Sequence, residues 1–214
     1  YGSGRTDAGV HALEQVAHLD TAVKIAPGRL TDEINALLPA DINILSAETV
    51  DRRFHARHSA TSRSYLYQIA RRRTAFAKPY VWWVREPLDL ARMRDAAAVF
   101  TGLHDFRAFS DDDPEEKSTK VLVESLTIEE DGPLVLVRIS GSHFIWKMVR
   151  RIVGILVEAG QGRLTRRQIE QMLKGDSPLP AQLTAPASGL FLEKVTYEGR
   201  DHVQATRIGM KASL

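Results

Sequence analysis

The chain has no cysteine in its 214 residues. That excludes disulfides and thiolate metal sites, and it fits a reducing compartment such as the cytoplasm. It also lacks any apolar run of the ~18 residues needed for a membrane-spanning helix, so no membrane partner is expected. The start lacks the charged, then apolar, then small-residue pattern of a secretory signal. No tandem repeat of fixed short period is present. A large charge imbalance is missing too, the formal net charge being +2. What is present is ordinary for a globular protein: 43% hydrophobic and 26% charged residues. The length allows one large or two small domains with a real core.

The most unusual stretch is the first dozen residues, Gly2-Ser3-Gly4-Arg5-Thr6-Asp7-Ala8-Gly9-Val10-His11-Ala12. A single carboxylate, Asp7, sits among glycines and small residues. Glycine permits positive φ and close approach of a ligand. Asp7 is therefore either presented to something or accepts backbone N–H bonds within a turn. A phosphate loop is a poor fit, because the Gly-Lys-Ser/Thr ending is missing and no third glycine follows at the dinucleotide spacing. Asp7 and His11 lie at i, i+4, but two ligands do not make a metal site.

Further along, Gln15 to Thr21 reads as a short strand by alternation. Pro27-Gly28 opens a helix whose apolar stripe is Leu30, Ile34, Leu37 and Leu38, stopped by Pro39. Asp41 to Val50 reads as a second strand. Residues 52–73 hold seven arginines (52, 53, 57, 63, 71, 72, 73) and no acidic residue. Within them Tyr65, Tyr67 and Ile69 share one strand face by period two. A half-buried strand with a solvated basic face explains this pattern. So does RNA, since guanidiniums neutralise phosphates and a tyrosine ring stacks on an unstacked base.

Leu88 to Phe100 predicts a helix with Leu90, Met93, Ala97 and Phe100 inward and Gly102 as its C-terminal cap. The run Asp111-Asp112-Asp113-Pro114-Glu115-Glu116 reads as a solvated loop. Thr119 to Glu129 and Leu134 to Ser140 predict a hairpin around Asp131-Gly132. Phe144 to Gly160 predicts a strongly apolar helix. Lys147, Arg150 and Arg151 lie in its N-terminal half, unfavourably for the helix dipole, so packing or an anion must hold them. Thr165 and Gln168 suit a capping box for a helix through Leu173. Gly189 to Tyr197 is the last strand, and a polar tail runs from residue 199 to 214. The fold class is therefore α+β, with helices on one face of a partly antiparallel sheet.

Gly4-Arg5-Thr6-Asp7-Ala8-Gly9-Val10-His11 resembles the signature of the tRNA pseudouridine synthase A family. Three later stretches follow in that family's order. They are Phe54-His55-Ala56-Arg57 with Ala60-Thr61-Ser62-Arg63-Ser64-Tyr65-Leu66-Tyr67, Phe144-Ile145-Trp146-Lys147-Met148-Val149-Arg150, and Ala187-Ser188-Gly189-Leu190-Phe191-Leu192. The resemblance implies a pseudouridine synthase fold. Two RRM-like (ferredoxin-like) halves would form one mixed, largely antiparallel sheet with flanking helices and a central RNA-binding cleft. Residues 1–57 would be the remainder of the N-terminal catalytic half, and 58–198 the C-terminal half. In the family a first strand and helix precede the signature, so one strand of the first half-sheet is expected to lack its partner here.

The resemblance further implies isomerisation of uridine to pseudouridine in the anticodon stem-loop of tRNA, with no cofactor and no metal. The N1–C1′ bond breaks, the base turns, and C5 joins C1′. Asp7 would be the essential carboxylate, kept ionised by Arg150. Tyr65 would stack on the uracil and relay the C5 proton, Leu190 would line the uracil pocket, and Arg5 would hold the flipped nucleotide's place. Arg57, Arg63, Arg71, Arg72, Arg73, Lys147 and Arg151 are the candidate RNA-binding cations. His11, His55 and His143 are read as structural. The partner is tRNA, and a homodimer is the family expectation. A non-catalytic RNA-binding module is the main alternative. A small-molecule glycoside or nucleotide hydrolase is a third, although it would usually need a second acid.

Overall fold

The computed structural model describes residues 1–111, 118–175 and 177–198. Among these, alternation of apolar and polar residues produces seven strands: β1 (His11–Ala12), β2 (Ala60–Ala70), β3 (Trp82–Trp83), β4 (Gly102–Asp105), β5 (Lys120–Asp131), β6 (Leu134–Gly141) and β7 (Leu190–Tyr197). They form one sheet in the order β1-β7-β2-β6-β5-β4, with β3 beside the end of β2. The β1/β7 and β2/β3 pairs are parallel and the rest antiparallel. The Asp131-Gly132 turn closes the β5–β6 hairpin as anticipated, with Gly132 at φ +55°.

Five helices accompany the sheet: α1 (Pro27–Asn35), α2 (Leu90–Ala97), α3 (Met148–Gly160), α4 (Arg166–Lys174) and α5 (Leu179–Gln182). The mixed sheet with its flanking helices is the expected α+β architecture. Tyr67 and Ile69 of β2, Val121 and Val123 of β5, and Val135, Val137 and Ile139 of β6 are buried in one cluster with α2 and α3. The opposite face carries polar cross-strand pairs such as Ser64–Glu193 and Arg138–Glu193, as suits an antiparallel sheet with one wetted side. Asp89 caps α2 through the Ala91 and Arg92 N–H groups, and Thr165 with Gln168 forms the capping box of α4. No helix among the described residues is long and apolar enough to cross a membrane.

Several expectations are corrected. Gln15 to Thr21 is not a strand. It makes one bridge, Gly2 to Ala17, because only the short segment at the chain's start lies beside it. Asp41 to Val50 pairs with no strand. The backbone of Ile44 is taken instead by the Asn35 side chain, whose Oδ1 accepts from Ile44 N–H at 2.7 Å and whose Nδ2 donates to Ile44 O at 2.9 Å. α1 ends at Asn35, before Leu37, and buries none of its residues. The helix expected from Leu88 runs over Leu90–Ala97 and tightens into a 3₁₀ turn, Ala98–Phe100. Gly102, at φ +107°, turns the chain into β4, a strand the sequence reading did not foresee. α3 starts four residues later than expected, because Lys147 has left-handed backbone at φ 62° and breaks the helical run before Met148. The acidic run lies outside the described residues except for Asp111. The polar tail, residues 199–214, lies outside them altogether.

α3 is apolar on nearly every side, and Met148, Ile152, Val153, Ile155 and Leu156 are almost wholly buried. Its sequence allows one very close contact. A Cβ at Gly154 would sit 1.7 Å from the Leu183 carbonyl oxygen. The 183–185 segment thus lies directly on the helix, and Ala185 N–H donates to Arg150 O at 3.1 Å. Gly154→Ala is expected to force that segment away and to destabilise the fold by about 2 kcal/mol or more, as overpacking does. Urea unfolding of the two forms checks this.

Candidate active site

Asp7 stands on a turn in which its carbonyl accepts the Val10 N–H at 3.0 Å, with Gly9 at φ +79°. The chain then enters β1, where His11 lies opposite Phe191 and Ala12 opposite Leu192. This parallel pairing, continued by Leu13 N–H to Leu192 O at 2.8 Å, hangs the Asp7 turn over the start of β7. Ser3, almost fully buried, fixes the strand-like approach through Ser3 N–H to Val16 O and Ser3 Oγ to Gln15 Oε1.

Two groups from the chain leading into α3 meet the carboxylate. The Trp146 indole N–H donates to Asp7 Oδ1 at 3.3 Å, and Arg150 Nη1 lies 3.9 Å from Asp7 Oδ2. The Arg150 side chain is 18% exposed against 42% for Asp7, so a largely buried guanidinium faces an exposed carboxylate. Arg150 is aimed by its own tether, since its Nε donates to Ala185 O at 2.7 Å. The left-handed backbone at Lys147 turns Trp146 off the helix and toward Asp7, and Arg150 reaches the same carboxylate from the first turn of α3.

Tyr65 projects from β2 beside this pair, its ring edge-on to Phe144 with centroids 5.1 Å apart. Burial pushes its phenol above the ordinary tyrosine range. The Asp7 charge adds to that rise, and Arg63 opposes it. Leu190 is buried opposite Tyr67, whose hydroxyl donates to Pro186 O at 2.7 Å. The structure thus gathers Asp7, Tyr65 and Arg150 in one place, with Leu190 in the core beneath. Trp146 is the contact the sequence reading missed. Its signal was its position four residues before Arg150.

The candidate RNA-binding cations divide into two groups. Arg63 binds three backbone carbonyls, with Nη1 donating to Ser142 O and Nη2 to Ser3 O and Arg57 O. It therefore staples the signature, the second motif and the approach to α3. Arg151 is 3% exposed and paired with Asp111, so its charge is used inside the protein. Arg5, Arg57, Arg71, Arg72 and Arg73 are exposed. Arg71 pairs with Glu130 at 2.8 Å, and Arg73 lies 5.5 Å from the Trp83 ring centroid. Lys147 pairs with Asp111 at 3.0 Å.

The three histidines sit in packing or hydrogen-bonding roles. His11 stacks on Phe191 and its Nε2 meets Pro79 O at 2.8 Å. Nδ1 of His55 accepts from the Arg57 and His58 N–H groups. Burial, and then Arg63, lower the His143 pKa. Among the described residues no group of three His, Cys, Asp or Glu side chains is arranged to hold a metal.

The fold and site define an α+β protein built around one carboxylate, faced by an arginine, an indole N–H and a neutral phenol. Comparison with known proteins agrees with that class. A family model described as tRNA pseudouridine synthase matches residues 96–198. A tRNA pseudouridine synthase A from Geobacter sulfurreducens is 42% identical over 197 residues, covering 91% of this chain and 81% of the relative. One from Nitrobacter hamburgensis is 42% identical over 200 residues, 92% of this chain and 82% of its own. A tRNA pseudouridine synthase A 2 from Bacillus anthracis is 39% identical over 198 residues, 92% and 81% respectively. The chain belongs to the tRNA pseudouridine synthase family, which is a family of isomerases.

The tyrosines give a pH test. Burial raises the phenol pKa of Tyr65, Tyr67 and Tyr197 in the folded state. A raised folded value means that their contribution to stability is complete below the ordinary 10.0 and is lost as pH climbs through the folded values. Alkaline titration should therefore show a late tyrosinate absorbance step that coincides with loss of the circular dichroism signal. Tyr65→Phe should reduce that step.

Proposed function

We propose that this chain converts uridine to pseudouridine in the anticodon stem-loop of tRNA, with Asp7 as its catalytic carboxylate and no cofactor. The observation that carries the reading is the meeting of Asp7 with Trp146, 139 positions away in sequence, and with Arg150 and Tyr65. The names of the relatives support tRNA as the substrate.

In this reading the target uridine leaves its stack and enters the space above Asp7. The N1–C1′ bond breaks, and Asp7 provides negative charge to the electron-poor C1′ as the base departs, through a bond or as a counter-charge. The base turns, C5 bonds to C1′ as any Asp7–C1′ bond breaks and returns the carboxylate, the C5 proton leaves and N1 gains one. Arg150 faces Asp7 and orients it. Tyr65 stacks on the uracil, and its neutral hydroxyl passes the proton on. Leu190 supports the uracil from below, and Arg5 occupies the place the flipped nucleotide vacates. Arg57, Arg71, Arg72 and Arg73 approach phosphates. Arg63, Arg151 and Lys147, whose charges are taken up within the protein, act on the RNA indirectly, through the fold they hold. Residues 1–57 and 58–198 form two RRM-like halves with the RNA cleft between them. A cytoplasmic homodimer in which one tRNA touches both subunits completes the reading.

Tritium release from tRNA transcripts labelled at uridine C5 tests it. Wild-type protein should release tritium, and Asp7→Asn should slow release by ~10³-fold or more while tRNA still binds. Equal turnover by both forms would remove Asp7 from the mechanism. Neutralising Arg71, Arg72 and Arg73 together should flatten the log–log salt dependence of tRNA affinity by about 2, the value for three phosphate contacts. An unchanged slope would mean that this cluster does not touch phosphate.

A further inference from the structure

α3 begins between two carboxylates. On one side Trp146 and Arg150 reach Asp7, at 3.3 Å and 3.9 Å. On the other side Lys147 and Arg151 reach Asp111. Lys147 Nζ lies 3.0 Å from Asp111 Oδ2, and Arg151 Nη2 makes a short hydrogen bond to Asp111 Oδ1. Trp146 and Lys147 precede the helix and Arg150 and Arg151 lie in its first turn, so each carboxylate ties the approach to the helix start. Lys147 also joins the two sides directly, with its ammonium 4.1 Å from the centroid of the Trp146 ring.

We propose that Asp111 is a positioning residue for the reaction, which fixes the first turn of α3 so that Trp146 and Arg150 keep their geometry on Asp7. The inference rests on Asp7 being the reacting carboxylate. Three features require an anchor of this kind. Lys147 is the non-glycine residue with positive φ among the described residues, a conformation that must be held by its surroundings. Arg151 is 3% exposed and needs an anion or must leave the core. Both cations also stand at the positive end of the helix dipole, so an unpartnered pair would loosen this turn. Asp111 answers all three. The hydrogen bond from Arg151, then that from Lys147, hold its carboxyl below the ordinary carboxylate range, so it stays charged at neutral pH.

Without Asp111, Lys147 is released from its place over Trp146, and the buried guanidinium of Arg151 turns toward water. Either movement shifts the residue next to it in sequence, Trp146 in one case and Arg150 in the other. A displacement of about 1 Å in such a constellation lowers a rate by ~10²-fold. Substrate affinity need not change, because the side chains that shift are not the arginines that approach phosphate.

The test combines a geometric readout with a kinetic one. Of the three tryptophans in the chain, Trp146 is identified in an amide–indole NMR spectrum by its loss in Trp146→Phe. Asp111→Asn should move the Trp146 indole N–H signal and leave those of Trp82 and Trp83 in place. It should also lower kcat on tRNA by about 10- to 100-fold with KM within twofold, and Asp111→Glu should recover most of the loss. The paired variant Asp111→Leu with Arg151→Met removes the ion pair without leaving a buried charge unpaired, while Lys147, already partly exposed, turns its ammonium to water. It should restore the melting temperature while kcat stays low. An unmoved indole signal would overturn the proposal, and so would a paired variant that regains full kcat, since that is the behaviour of a purely structural ion pair. The indole signal needs no turnover. A wild-type protein that makes no pseudouridine would therefore refute the proposed reaction separately, with the anchoring of Trp146 still decided by NMR.

Discussion

A helix with almost no polar side chain has to be surrounded, and the burial of α3 organises the rest of the molecule. The β2–β6–β5 face lies on one side of it and α2 on another. The 183–185 segment lies against Gly154 at a distance that no side chain would permit. Charge then becomes the difficulty. The first turn of α3 brings two guanidiniums and an ammonium to the edge of this apolar environment, where an unpartnered cation is costly. Each is met by an oxygen: Arg150 by Asp7 and Ala185 O, Arg151 and Lys147 by Asp111. The site is thus the place where the solvation needs of a buried helix are satisfied by carboxylates.

The arginines show how composition can mislead. Seven of them in residues 52–73 read as one basic surface. In the fold Arg63 turns inward and binds three carbonyls, and Arg71 is partly neutralised by Glu130. The positive charge that RNA could use is smaller than the count and more localised. Conversely, the acidic run that read as a solvated loop contributes Asp111 to the interior edge of α3.

Much of the fold was legible because it follows from local pattern. The β5–β6 hairpin follows from alternation around Asp131-Gly132, α4 from its capping box, and β2 from the spacing of Tyr65, Tyr67 and Ile69. What was missed depends on partners distant in sequence. Asp41 to Val50 has the composition of a strand, but it pairs with none, and the Asn35 amide takes the backbone groups of Ile44. β1 is two residues long and exists only because β7 lies beside it. The late start of α3 follows from the backbone of Lys147, which apolar periodicity does not encode. The candidate site divides the same way. Asp7, Tyr65 and Arg150 stood out through the family resemblance. Trp146 and Asp111 are defined by contacts 139 and 40 positions apart.

The parallel register of β1 with β7 has a consequence for the order of events during synthesis. The Asp7 stretch is made well before its partners, since His11 pairs with Phe191 and Trp146 follows Asp7 by more than half the chain. Closing so long a loop is slow, and its entropy is recovered only when the distant contacts form. The hairpin and helices can collapse as they emerge, but Asp7 has no fixed orientation until residues 190–192 arrive to hold its turn. A nascent chain that has passed Arg150 but not yet reached β7 therefore holds Asp7, Trp146 and Arg150 without the strand that orients the Asp7 turn. Their arrangement is completed only once β7 has been made.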